Sequence, residues 1–285
     1  MSGPRKGRRQ LAELLAETSV RERAILTSLG ELRLMSARQI ERLQFTADDQ
    51  AATALSRARH CRRTLERLVR ERLLVRLERR IGGLRAGSAA FVYALGPVGQ
   101  RLISLPGARR RYREPSALFV AHSLAVSELY VRLHEAERAG TLQLLSPIEA
   151  EPRCWRRLPD YGGHGLLKPD LAVHLAAGAY EYRWFVELDL GTEHRPALVR
   201  KCQAFERYYR SGLEQAAHGV FPRVLWIAPD EVRARRIQHV VDHTAQLTAG
   251  LFVVTTSDDA VTTLTGGAEG DVREPAASRP ASRAE

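Results

Sequence analysis

No stretch of this chain approaches the ~18 consecutive apolar residues of a membrane-spanning helix. A membrane partner is therefore not expected. The opening segment, MSGPRKGRRQLAELLAETSV, is basic, but Glu13 and Glu17 interrupt what a secretory leader would need as its apolar core. The expectation is an intracellular, cytoplasmic protein. Cysteine is scarce and scattered: Cys61, Cys154 and Cys202 form no CxxC pair, which argues against a zinc knuckle or a disulfide framework and for reduced, structural thiols. The glycine-rich GGHG at 162–165 lacks the lysine and hydroxyl residue of a phosphate-binding loop and reads as a turn. HVVDH at 239–243 spaces His239 and His243 one helical turn apart, but Asp242 stands where an inverted zinc-protease motif has glutamate, and no third ligand is evident.

What is present is enough apolar material for a packed core, 44% of the sequence against 27% charged. At 285 residues, two modest domains are expected. The charge is unevenly spread. Residues 1–113 hold 25 Lys or Arg against 10 Asp or Glu, a net +15, whereas residues 114–285 hold 19 against 23, a net −4. A basic front half favours an anionic polymer and releases its counterions on binding. Nucleic acid is the first expected partner, and the order of elements that follows narrows it to double-stranded DNA.

In that front half, VRERAILTSLG (20–30) carries apolar residues on one helical face and reaches a glycine, which reads as a short helix ending there. SARQIERLQF suits a second helix with Ser36 as N-cap and Ile40 and Leu43 facing inward. A third, residues 50–72, sets Leu55, Leu65, Leu68 and Val69 against a surface of Arg57, Arg59, His60, Arg62, Arg63, Arg67 and Arg70. LLVRLERR then alternates with period two, IGGLRAGS supplies turn glycines, and AAFVYAL reads as the returning strand. Three helices and a basic hairpin predict a winged helix-turn-helix over 18–105. In that architecture the third helix enters the major groove and the hairpin touches phosphate or the minor groove. The predicted DNA-binding residues are Arg57, Arg59, His60, Arg62, Arg63 and Arg67 on the helix, with Arg79, Arg80 and Arg85 on the hairpin. GPVGQRLISL predicts one more short helix, and the proline, glycine and arginines of 106–115 mark a basic linker.

The second half opens on a long amphipathic helix, SALFVAHSLAVSELYVRLHEAERAG. TLQLLSPIEAE, LLKPDLAVHL and YEYRWFVELDL follow as three strands, then a helix over about 196–210, the strand RVLWIAP, a helix over 230–248 and the strand LFVVTT. This order predicts an α/β domain over 116–265, a mixed sheet flanked by helices. Residues 266–285 lack apolar periodicity and are expected to be a disordered tail.

Residues two apart on a strand share a face, so Glu187 and Asp189 can present their carboxylates together, and Asp170 can face the same spot from a neighbouring strand. Three converging carboxylates repel one another unless a divalent cation neutralises them, and Mg²⁺, which favours carboxylate oxygen and keeps several waters, is the natural cofactor. The plain alternative has these acids pairing with arginines such as Arg195 and Arg200, Glu193 capping the following helix, Tyr208 and Tyr209 packing, and Trp184 in the core.

The arrangement resembles the PD-(D/E)xK nuclease superfamily, which has a restriction-endonuclease-like core. Pro169 and Asp170 match its Pro-Asp, and Glu187 matches the acid of its (D/E)xK element. Asp189 stands where that pattern has lysine. The resemblance implies that Lys201, in the next helix, takes the lysine's part in orienting water, and that Glu128 is the counterpart of an additional acidic ligand. Over nearly the whole chain, VELDLGTEHRPALVRKCQAFERYYRSG, HSLAVSELYVRL, RVLWIAP and VYALGPVGQRLI look like the replication-relaxation family. That resemblance implies a role in plasmid or mobile-element replication and DNA relaxation. Two functions stay open. One is Mg²⁺-dependent nicking, with Asp170, Glu187 and Lys201 catalytic and Asp170, Glu187, Asp189 and Glu128 holding the metal. The other is a non-catalytic DNA-binding replication or transcription regulator. A second copy of the chain, or replication and conjugation proteins, are further expected partners.

Overall fold

The computed structural model describes residues 8–46, 53–77, 91–103, 115–158, 165–266 and 278–280. The chain divides into two compact units, Met1–Val131 and Arg132–Glu285.

The first unit begins with α1 (Arg8–Glu17), a helix outside the predicted winged-helix span, and α2 (Val20–Leu32). Helix α2 starts at Ser19 with a capping box: the Ser19 side chain accepts from the Glu22 backbone, and the Glu22 carboxylate accepts from the Ser19 N–H. It does not stop at Gly30 but continues to Leu32, where Arg33 turns the chain with φ 68°. After β1 (Met35–Ser36), α3 (Ala37–Gln44) repeats the device with Ser36 and Gln39. Helix α4 (Ala54–Arg70) is capped by Thr53 and buries Cys61, Leu65 and Leu68, spaced four and three residues apart as one helical face requires.

Strands β2 (Leu74–Arg76) and β3 (Val92–Leu95) complete a three-stranded antiparallel sheet of order β1-β3-β2. The predicted turn at 81–88, with Arg79, Arg80 and Arg85, lies outside the described residues. Helix α5 (Pro97–Ile103) lies so close to the chain before β2 that a Cβ on Gly99 would stand 2.2 Å from Leu73 O, and one on Gly96 2.3 Å from Arg72 O. Glycine at both places is a packing requirement.

Helix α6 (Ala117–Arg138) carries the division between the units, after Val131. The predicted boundary is at 106–115, of which 106–114 lie outside the described residues. The first part of α6 belongs to the front unit because Val120 and Leu124 pack with Leu34, Leu77 and Val92, and Ser127 Oγ donates to Leu34 O at 2.6 Å.

The second unit is mixed α/β. Its strands are β4 (Gln143–Leu144), β5 (Glu149–Ala150), β6 (Arg156–Arg157), β7 (Leu166–Leu167), β8 (Leu171–Ala177) and β9 (Tyr180–Leu188). Next come α7 (Arg195–Arg210), α8 (Leu213–His218), β10 (Arg223–Ala228), α9 (Glu231–Asp242), β11 (Phe252–Thr256), α10 (Ala260–Leu264) and β12 (Ser278–Pro280). The main sheet has the order β11-β10-β9-β8-β4, with β9, β10 and β11 parallel and β8 antiparallel to β9. TLQLLSPIEAE, expected as one strand, is two short ones, β4 and β5, both paired with β8. LLKPDLAVHL likewise divides around Lys168–Asp170 into β7 and β8, since Pro169 has no N–H to donate to a ladder. Within the expected disordered tail, Ser278–Pro280 pair antiparallel with Tyr180–Tyr182.

Phe185 on β9 and Val224, Trp226 and Ala228 on β10 bury one face of this sheet against Leu198, Cys202 and Phe205 of α7 and Ala234, Ile237 and Val240 of α9. On the other face Trp184 is buried, as expected, and its indole N–H donates to Leu264 O at 3.1 Å. All three cysteines are free and buried. Among the described residues, no helix is long and apolar enough to cross a membrane.

Candidate functional site

The acids identified in the sequence sit where the two central strands end. Asp170 precedes β8 and donates its N–H to Val186 O at 2.9 Å; with Leu171 paired to Val186, Asp170 stands across from Glu187. Alternation along β9 then puts Glu187 on the same sheet face as Phe185, under α7. Both carboxylates are buried, Glu187 to 2% exposure. The Leu188 N–H donates to Asp170 Oδ2 at 2.7 Å, so backbone and side chain together hold Asp170 against β9.

Lys201 supplies the cation. Two turns into α7, its Nζ donates to Glu187 Oε2 at 2.8 Å and to Glu193 Oε1 at 2.6 Å, and it lies 5.4 Å from the centre of the Trp226 ring. Glu193 does not cap α7 by a side-chain hydrogen bond; His194 is the N-cap residue, and the Glu193 carboxylate serves Lys201 instead. Burial first, and the neighbouring Asp170 carboxylate second, push the Glu187 carboxyl up to about 8, while Lys201 opposes the rise. The lysine is itself held protonated: burial works against its charge, but Glu187 and Glu193 outweigh burial and raise its pKa.

These groups open into a cavity of ≈370 Å³ lined by Leu166, Leu167, Lys168, Glu187, Glu193, Ala197, Arg200, Lys201, Ala204 and Phe205. Its walls are apolar, and its charges are three cations and two acids. Lys168, beside the Pro-Asp pair, and Arg200 were not among the predicted site residues. Lys168 was visible in the sequence only as a neighbour of Asp170.

Two expected ligands are engaged elsewhere. Asp189 accepts from Arg233 Nε at 2.6 Å and Nη2 at 3.0 Å, and its Oδ2 also takes the Gly191 N–H at 2.8 Å. A buried carboxylate beside a helix arginine forms this two-pronged pair in preference to facing two other carboxylates. The pairing arginine is Arg233 of α9, not Arg195 or Arg200. Nothing local in the sequence links positions 44 residues apart. Glu128 lies in the front unit and is bound by Arg42 Nη1 at 2.5 Å and Gln39 Nε2 at 3.1 Å. Among the described residues, no group of three or more His, Cys, Asp or Glu side chains is placed to hold a metal ion. Of the four expected acids, the structure brings Asp170 and Glu187 together across the β8–β9 pair. His239, in the last turn of α9, and His243, its C-cap residue, have ring centres 3.9 Å apart, and both are exposed.

In the front unit, Arg59, His60, Arg62 and Arg63 are exposed on α4, while Arg57 is half-buried. Arg67 departs from that set. Its guanidinium forks onto Glu22 Oε1 through Nε, at 3.0 Å, and Nη2, tying α4 to the capping box of α2.

More than two thirds of this chain is covered by a recognised sequence family: the model described as replication-relaxation matches residues 26–224. Comparison with curated proteins and with solved structures finds no match.

Proposed function

This chain belongs to the replication-relaxation family, and from that premise we propose that it binds double-stranded DNA through its front unit and nicks it with its second unit during replication and DNA relaxation. The observation that carries the reading is Lys201 Nζ at 2.8 Å from Glu187 Oε2, with Asp170 across the strand pair and a ≈370 Å³ cavity beside them. These are an acid pair and a lysine of the PD-(D/E)xK type, the lysine delivered from a helix because Asp189 occupies its strand position.

The residues suit Mg²⁺. That ion binds through one or two carboxylates and keeps its waters, and two buried facing carboxylates, one with its pKa raised first by burial and then by the other, are a donor set a divalent cation would relieve. Asp170 and Glu187 would hold it. Bound there, the ion supplies Lewis-acid polarisation of a phosphodiester. Lys168 and Arg200 place positive charge at the cavity wall for the phosphate backbone. Lys201 orients the attacking water. Its oxygen bonds to phosphorus, the ester P–O bond breaks, and the proton goes to the leaving alkoxide. The crevice beyond the carboxyl ends of parallel strands is the usual ligand site of open α/β sheets, and Glu187 stands at that end of β9.

In the front unit, α2, α3, α4 and the β1-β3-β2 sheet follow the order of a winged helix-turn-helix, with α4 as the groove-reading helix. Arg59, His60, Arg62 and Arg63 form its exposed binding surface, and Arg57 borders it. The competing reading is a non-catalytic DNA-binding regulator, favoured by the loss of Asp189 to Arg233.

Incubation of supercoiled plasmid with the protein and Mg²⁺ or Mn²⁺ separates the two readings. Conversion to open circles that disappears in Asp170→Ala and Glu187→Ala, with duplex binding intact, establishes the nickase. Absence of metal-dependent conversion at high protein concentration leaves the regulator.

A further inference from the structure

Asp189 occupies the strand position at which the nuclease pattern has lysine, and the structure gives that exchange a purpose. Its carboxylate takes both arms of the Arg233 fork, and the same Nη2 of Arg233 donates to the backbone carbonyl of Glu193 at 2.6 Å. The Asp189 side chain has no exposed surface, and that of Arg233 only 13%. The turn between them is closed by the Gly191 N–H on Asp189 Oδ2, with Gly191 at φ +80°, a conformation that favours glycine. Glu193, fixed at its carbonyl, then holds Lys201 Nζ at 2.6 Å through Oε1, while its Oε2 is enclosed without a hydrogen-bond partner among the described residues.

We infer that Asp189, Arg233 and Glu193 are positioning residues that act in series to hold Lys201 beside Glu187, the exchange of lysine for Asp189 having supplied the anchor for a lysine brought in from α7. This rests on the nuclease-like reading of the Asp170 and Glu187 pair. Glu193 is the residue that touches Lys201. Arg233 and Asp189 act on it only through the 189–194 turn. Lys201 thus keeps one carboxylate partner, Glu193, when Glu187 is engaged by a cation or substrate. A lysine on the strand itself would need no such support, because backbone pairing would place it. One seven residues into a helix depends on how the preceding turn is pinned.

The chain has only three lysines, Lys6, Lys168 and Lys201, so the position of Lys201 is directly measurable. Acetylation with N-hydroxysuccinimide acetate, mapped by mass spectrometry, gives the rate at Lys201 relative to exposed Lys168. In Glu193→Gln that ratio is expected to rise roughly tenfold, the change that loss of a charge-assisted hydrogen bond gives. Asp189→Asn, which keeps an oxygen for the Gly191 N–H, and Arg233→Lys, which keeps the cation but not the fork, are expected to raise it several-fold. The Asp189→Asn, Arg233→Lys double variant should add nothing to either single change.

A Lys201 ratio unchanged in Asp189→Asn and Arg233→Lys overturns the inference. Additive effects do so as well, and so does acceleration shared equally by Lys168, which would assign these residues to general folding. In plasmid relaxation the same variants are expected to lower kcat with the KM for DNA unchanged. A wild-type protein without relaxation activity sinks the nickase, and the acetylation ratios then still decide whether the three residues act in series.

Discussion

Lys201 meets Glu187 across the gap between α7 and the end of β9, Nζ to Oε2 at 2.8 Å, and it brings a positive charge to a carboxylate that is otherwise buried beside Asp170. The pair is unequal. Glu187 has 2% of its side chain exposed and Lys201 39%, so the carboxylate depends on the lysine more than the lysine on the carboxylate.

Lys201→Met removes that cation and keeps the apolar stem. Loss of a hydrogen bond to a charged group costs about 1.5–3 kcal/mol. Chemical denaturation should show a loss at the lower end of that range, because Lys201 is partly solvated. Metal-dependent plasmid relaxation should be abolished while duplex affinity, measured by fluorescence anisotropy, is retained. Loss of both would place Lys201 in folding and not in the site.

Glu187 carries a pH signature. Its folded pKa lies above the unfolded one, so between the ordinary carboxylate range and about 8 the folded chain holds a proton that the unfolded chain has released. Stability therefore falls as pH rises through that window. Glu187→Gln removes this dependence, and its melting temperature relative to the wild type should climb from pH 5 to pH 8. About 1 kcal/mol corresponds to roughly 2–4 °C in a chain of 150–250 residues. A difference that is flat over this range contradicts the assignment. Mg²⁺ affinity, followed by calorimetry, should rise with pH over the same interval, since the ion must displace the proton.

Arg62 and Arg63 should behave differently from Arg67. Alanine at either exposed position is expected to weaken duplex binding and to reduce the salt slope by about 0.9 for each phosphate no longer neutralised. Arg67→Ala should leave the salt slope unchanged and lower stability by about 1–3 kcal/mol, because it leaves buried Glu22 without its counter-charge. Burial alone raises the Glu22 pKa, but hydrogen bonds from Arg67 and Ser19 outweigh it and hold the group below its usual range. Its contribution is present above that range and is lost as pH falls through the lowered value. The Arg67→Ala deficit should therefore shrink in acid. Urea denaturation at two pH values measures it.

Gly99→Ala tests the packing of α5. A new Cβ would stand 2.2 Å from Leu73 O, a backbone atom that cannot rotate away. Overpacking of this kind costs about 1–3 kcal/mol, and urea denaturation followed by circular dichroism should register it. An unchanged midpoint would mean that α5 and the chain at Leu73 separate readily.

Much of the secondary structure was legible because local patterns specify it. Ser36 caps the helix it was expected to start, and YEYRWFVEL reads as the strand it forms. Failures came where long-range pairing decides. Strands of two residues, such as β4 and β5, exist only because β8 offers them an edge. Gly30 is carried through a helix by the apolar packing of Leu29 and Leu32 around it.

By itself the sequence determined that Asp170, Glu187 and Lys201 would be available at strand ends and on a nearby helix, and that the basic charge would concentrate in the front half. Those properties follow from residue spacing and composition. Only the tertiary structure decided which charges are used up: Asp189 by Arg233, Glu128 by Arg42, Arg67 by Glu22, and Lys201 shared between Glu187 and Glu193. The reason is that a buried charge takes the counter-charge that folding brings within hydrogen-bonding distance. For these pairs the partners lie between 8 and 86 residues apart in the chain, too far for any local pattern to announce them.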